Sequence, residues 1–156
     1  MNEIFIEAES LNNLGGWTVD SGMTEIIHSS YIMAHGFGTP VDDATGDFVV
    51  ENTSKYTVWA LTRNWTAVWK NAETIGTFKI IIDGTPLCET LGTNGAQWSW
   101  QKAGEIELKE GLHEIRFHDL TGFNGRCDAV YLTDSPEAPK NTVADIDFLR
   151  QRLNWH

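Results

Sequence analysis

Short β-branched and aromatic runs recur along the chain, among them "KYTVWALTRN" (55–64), "TFKIII" (77–82) and "HEIRF" (113–117), and Gly, Asn and Asp separate them. This rhythm is that of an all-β sandwich. It predicts strands near 3–9, 47–52, 56–64, 77–83, 97–109, 113–119 and 127–133. "DGTP" (83–86) reads as a turn after one strand, and "KEG" (109–111) as the turn of a hairpin joining the next two. After Thr133 the pattern changes. "DSPEAPKN" carries two of the four prolines, and "TVADIDFLRQRLNWH" follows it with Thr142 and Asp145 at capping-box spacing. Val143, Ile146, Leu149 and Leu153 form one apolar stripe. The expected organisation is a sandwich over 1–134, a linker over 135–141 and a helix over 142–156. That helix either docks on the sandwich or opens a neighbouring domain.

Strand direction places the loops. If neighbouring strands alternate in direction, loops 65–76, 92–96 and 120–126 all fall at one end, the tip, with the "KEG" turn at the other. "NWTAVWK", "GTNGAQW" and "LTGFNGR" then converge although they are far apart in sequence. Loops gathered on a rigid scaffold are a usual platform for binding.

Composition narrows the partners. At 156 residues and 41% hydrophobic content the chain fits one domain with a sizeable core. No window approaches the roughly 20 apolar residues of a membrane-spanning helix. A formal net charge of −11 argues against nucleic acid or an anionic membrane as the main partner, because such binding draws on clustered Lys and Arg. The N-terminus "MNEIFIEAES" lacks a basic and then apolar leader. Cys88 and Cys127 have neither CxxC nor zinc spacing and read as ordinary buried thiols.

Seven tryptophans stand out, and Trp65, Trp69, Trp98 and Trp100 fall near the expected tip. Sugar C–H groups can cover exposed rings of this size, although rings alternating on one strand face, such as 98 and 100, equally suit a core. Asn64, Asn94, Asp119 and Asn124 could bond hydroxyls or simply cap turns. Arg63, Lys70 and Arg126 are local cations in an acidic chain, suited to a uronate or pyruvate carboxylate. Pairing of Arg126 with Asp119 is the competing account. A polysaccharide lyase or hydrolase would use His118 or His35 as base and Arg126 to neutralise a uronate. However, the adjacent residues His118 and Asp119 point to opposite faces of a strand. Ser29 and Ser30 lie in no nucleophile elbow, and no GxGxxG is present.

"IFIEAES", "SSYIMAHG", "KYTVWALTRN", "TFKIIIDGTPL", "WSWQKAGEIELKEGLHEIRF" and "RCDAVYL" follow one another in an order that resembles the carbohydrate-binding modules of families 6 and 35. "TRNWTAVWK" and "HDLTGFNGRCDAVYLT" are also similar to the golvesin and xanthan-lyase type binding domain, found attached to bacterial FAD-dependent oxidoreductase-like proteins. The resemblance covers about residues 3–134. It implies a jelly-roll, galactose-binding-domain-like sandwich and a non-catalytic role in binding a polysaccharide, with a secreted or periplasmic multidomain parent. A structural protein-interaction module of such a parent is the other non-enzymatic reading. The resemblance further implies a structural calcium ion on Glu7, Glu9 and Asp128, a chemistry that suits an ion preferring oxygen ligands. The competing expectation is that Glu7 and Glu9 face water on an edge strand. "SSYIMAHGFGTPVDDA" is longer here than in many such modules, so sugar contacts from that segment are not carried over.

Overall fold

β10 (Phe123–Thr133) organises the molecule, and its residues 127–133 are all buried. The computed structural model describes residues 1–68 and 75–153. Among the described residues, β10 sits inside a six-stranded sheet of order β2-β3-β10-β5-β8. The flanking strands are β2 (Thr18–Asp20), β3 (Tyr31–His35), β5 (Ser54–Thr62) and β8 (Ser99–Leu108). β3 and β1 (Glu3–Glu7) share one edge of β10, β3 pairing near Phe123–Cys127 and β1 with Ala129–Thr133. The second sheet runs β4 (Ala44–Val50), β9 (Gly111–Asp119), β6 (Phe78–Ile82), β7 (Thr85–Pro86). Every pairing is antiparallel, and the result is a jelly-roll β-sandwich with one short C-terminal helix.

Alternation decides which residues fill the space between the sheets. Phe78, Ile80 and Ile82 of β6 face Val58, Ala60, Val130 and Leu132 across the interior, together with Ile115 and Phe117. Each such buried side chain contributes roughly 1.5–3 kcal/mol by leaving water. The other face of the six-stranded sheet is also apolar. Tyr31, Leu61, Trp98, Trp100, Ala129 and Tyr131 cluster there. Ile27 of the short helix α1 (Thr24–Ile27) and Ile146 of α2 (Val143–Leu153) cover them. Because both its faces are covered, β10 reads from Ala129 to Leu132 as a continuous apolar run rather than an alternating one.

α2 begins as the sequence predicts. The Asp145 amide donates to Thr142 Oγ1 at 3.2 Å, and the Thr142 hydroxyl donates to the Asp145 carboxylate. Thr142→Ala should therefore lower stability by about 1 kcal/mol, read as a drop in thermal midpoint, by removing the cap. β2, β3 and β7 were not expected from the sequence, and β4 starts earlier than the strand placed at 47–52. Of the two thiols expected to be buried Cys127 is, whereas Cys88, in the loop after β7, is exposed.

Candidate ligand-binding tip and acidic cluster

β5 and β9 end, and β6, β8 and β10 begin, at the same end of the sandwich, so the described parts of the loops predicted to converge there do so. The Asn64 amide donates to Gly95 O at 2.8 Å, Leu120 N to Thr77 O at 3.2 Å, and Trp65 Nε1 to Phe123 O at 2.8 Å. Residues 36–43, after β3, join as a fourth loop that was not foreseen. Gly36 N donates to Gly122 O at 2.9 Å and Val41 N to Asp119 Oδ2 at 2.9 Å. Gly122 makes this junction possible: its φ is +71°, and a Cβ there would lie 2.2 Å from Thr39 O.

That fourth loop carries the most exposed large hydrophobic side chain among the described residues. Phe37 is 85% exposed and holds a φ of +52°, a conformation a bulky residue adopts only when its surroundings impose it. His35 lies against it with ring centroids 4.4 Å apart. Phe123, 43% exposed, pairs with His35 across the β3–β10 ladder, and its ring runs close to Gly38. The Asn124 side-chain oxygen meets His35 Nδ1 at 2.6 Å, with Asn124 itself at φ +62° where β10 bulges. His35, Phe37 and Phe123 thus form an aromatic ledge, with Asn124 supplying hydrogen-bonding groups beside it. The available signal was that both phenylalanines sit among glycines, in "HGFG" and "TGFNG".

Several residues expected at the tip serve the scaffold instead. Asp119 is 1% exposed, and its carboxylate accepts the amides of Val41, Thr121 and Gly122. It braces the loops and does not pair with Arg126. Asn64, 7% exposed, accepts from both the amide and the hydroxyl of Thr66. Trp98 and Trp100 are 6% and 4% exposed on the covered outer face of the six-stranded sheet, where Trp98 lies 5.0 Å from the Tyr31 ring. Ile27 of α1 and Ile146 of α2 pack in the same cluster as the two tryptophans and help to bury them. Trp69 and Lys70 lie outside the described residues.

Asn94 is exposed, and Trp65, Arg63, Arg126 and Asn124 are half-buried. The Arg126 guanidinium lies over the Trp65 ring at 5.4 Å. Arg63 reaches Met23 Sδ at 3.1 Å, and burial together with Arg126 lowers its pKa. Neither arginine makes an ion pair among the described residues, and Nε of each is buried without an acceptor. Two half-buried cations on the sheet face that also carries His35, with no ion pair among the described residues, suit an anionic ligand.

The His118–Arg126 pair of the lyase reading is not assembled. Ile115 and Phe117 point inward, so His118 projects from the outer face of the four-stranded sheet, where it meets Asp43 at 2.8 Å. Cys127 also points inward, so Arg126 projects from the outer face of the other sheet. The full thickness of the sandwich separates them.

Away from the tip, Glu7, Glu9 and Asp128 present carboxylate oxygens that lie within 4.8 Å of one another. β1 neighbours the last strand, with Glu7 opposite Ala129. β1 ends at Glu7, however, and a 3₁₀ turn over Ala8–Ser10, rather than strand alternation, brings Glu9 round. The acids do not face water on an edge. Asp128 is fully buried, and burial pushes its carboxyl up to about 6 against the pull of Arg150. Burial and then the Glu7 charge push Glu9 up to about 8. The Ser29 hydroxyl lies within donating distance of Ser30 O at 2.9 Å and of Glu9 Oε1 at 3.3 Å, and Asp128 Oδ1 is buried without a hydrogen-bond partner. Three carboxylates with a buried, unpartnered oxygen fit a hard divalent cation. The sequence did not foretell Arg150. From α2 it donates to Asp128 Oδ2 at 2.5 Å and, through Nε, to Glu7.

No family model matches the sequence, and no curated protein does. Solved structures do match in shape. The chain is similar to part of a GH26-CBM35 β-(1,4)-mannanase from Podospora anserina, at 20% identity and a TM-score of 0.65, over 88% of this chain and 29% of that one. It is similar to a family 35 carbohydrate-binding module from Clostridium thermocellum, at 14% identity and a TM-score of 0.64, over 86% of this chain and all of the module. The C-terminal family 6 module of a marine laminarinase from Zobellia galactanivorans matches at 14% identity with a TM-score of 0.61, over 85% of this chain and all of that one. The chain therefore shares the sandwich fold of carbohydrate-binding modules of families 35 and 6.

Proposed function

We propose that this domain is a non-catalytic carbohydrate-binding module that holds a polysaccharide at the tip. The observation that carries the reading is the exposed ledge of His35, Phe37 and Phe123, set on a fold whose solved neighbours include such modules. Ring faces desolvate sugar C–H surfaces, while Asn124 and Asn94 offer donors and acceptors to hydroxyls. Arg63 and Arg126, which lack carboxylate partners among the described residues, favour an acidic or substituted glycan. Glu7, Glu9 and Asp128 would hold a structural calcium ion, which would neutralise buried carboxylates far from the sugar. The module would serve a larger secreted or periplasmic protein.

Calorimetry against acidic and neutral polysaccharides tests this reading. A complete failure to bind any glycan would remove it. Arg126→Gln, which keeps much of the contact over Trp65, should weaken an acidic ligand about tenfold, leave a neutral one unchanged, and reduce the salt dependence of binding to what Arg63 supplies.

A further inference from the structure

We propose that Arg150 is the resident counter-cation of the Glu7–Glu9–Asp128 cluster, so that docking of α2 and binding of a divalent cation oppose one another. This rests on the cation site proposed above and adds to it a coupling to the helix. A single guanidinium, its side chain 16% exposed, engages two of the three acids at once. Asp147, one turn earlier on α2, stands 3.7 Å from the same group, and the guanidinium lies 5.6 Å over the Phe5 ring. The helix is fastened at the same place by Arg152, which donates to Glu3 at 2.8 Å, and by buried Ile146. Arg150 is thus a built fixture rather than a stray surface cation.

The competition follows from charge and from oxygen count. The three acids, when ionised, carry three negative charges, and Arg150 cancels one of them. A divalent cation here needs six to eight oxygens, and Arg150 already draws on Glu7 and on Asp128 Oδ2. An incoming ion also meets a like charge a few ångströms away, in surroundings that screen poorly. Occupancy therefore weakens the hold of Arg150 on the sandwich. By linkage, anything that releases α2 strengthens the cation site by the same factor.

Calcium titration calorimetry of the wild type and Arg150→Met tests this, with amide hydrogen exchange of residues 143–153 followed in the wild type with and without calcium. Methionine keeps an apolar stem over Phe5 while removing the charge. The variant is expected to bind calcium about tenfold or more tighter, and calcium is expected to speed exchange in α2. Equal or weaker affinity in the variant, or slower exchange in α2 with calcium, overturns the competition and makes Arg150 a positioning residue for the ligands. If the variant fails to fold, the wild-type exchange result decides alone. No heat from either folded protein overturns the competition together with the cation site. Glycan affinity measured on the same samples shows whether the sugar-binding reading survives.

Discussion

Phe37→Ala should weaken glycan binding by roughly 1–3 kcal/mol while leaving the thermal midpoint where it was. The two halves of this expectation separate function from fold. At 85% exposure the Phe37 ring contributes almost nothing to the core, so a binding loss cannot be blamed on unfolding. The left-handed φ of Phe37 belongs to a turn closed by Thr39 N to Gly36 O at 3.0 Å, which holds the ring out from the loop. Phe123→Ala should act on the same ligand with a comparable loss. The double variant should lose less than the sum if both rings cover one sugar, since neighbouring contacts are not additive. Calorimetry on the three variants decides the matter. Unchanged affinity in all of them would move the site off the tip.

Calcium removal carries the second large effect. At a hundredfold excess over its dissociation constant, an ion bound only by the folded state stabilises by about 2.7 kcal/mol. For a chain of this length that corresponds to a fall of roughly 5–11 °C in thermal midpoint when EDTA is added. Asp128→Asn keeps the shape of a fully buried side chain while removing its charge, and it should abolish the EDTA-sensitive part. An EDTA shift that persists unchanged in Asp128→Asn would place the ion elsewhere, and no shift in the wild type would remove it altogether.

The long strands were legible because their own residues determine them. "TFKIII" alternates in the chain and alternates in burial in β6, and the "KEG" hairpin joins the two strands it was expected to join. β2 and β7, three and two residues long, carry too little pattern to be seen and exist because neighbouring strands hold them. The tip was found from strand direction alone, but its occupants were partly mistaken. Trp98 and Trp100 share a strand face as expected, yet nothing in their own stretch says that α1 and α2 will cover it. Phe37 escaped notice because the loop that carries it reaches the tip through bonds to Gly122 and Asp119, far away in sequence. The acidic cluster was legible as three residues. The arginine that completes it was not, since it depends on where a helix more than a hundred residues from Glu7 comes to rest.

The pairing of β1 with β10 also governs the order of assembly. Asn2 and Asp134 bond to one another across 132 residues of chain. The strand that joins β1, β3 and β5 is the last of the sandwich to leave the ribosome. Until residues 123–133 emerge, three strands wait with bare edges and no shared neighbour, a state prone to wrong pairings. Closing so large a loop is slow, and folding of the sandwich should fall in the millisecond-to-second range typical of such topologies. A chain cut before Phe123 lacks the middle of its main sheet, so it is more than a shortened version of the domain.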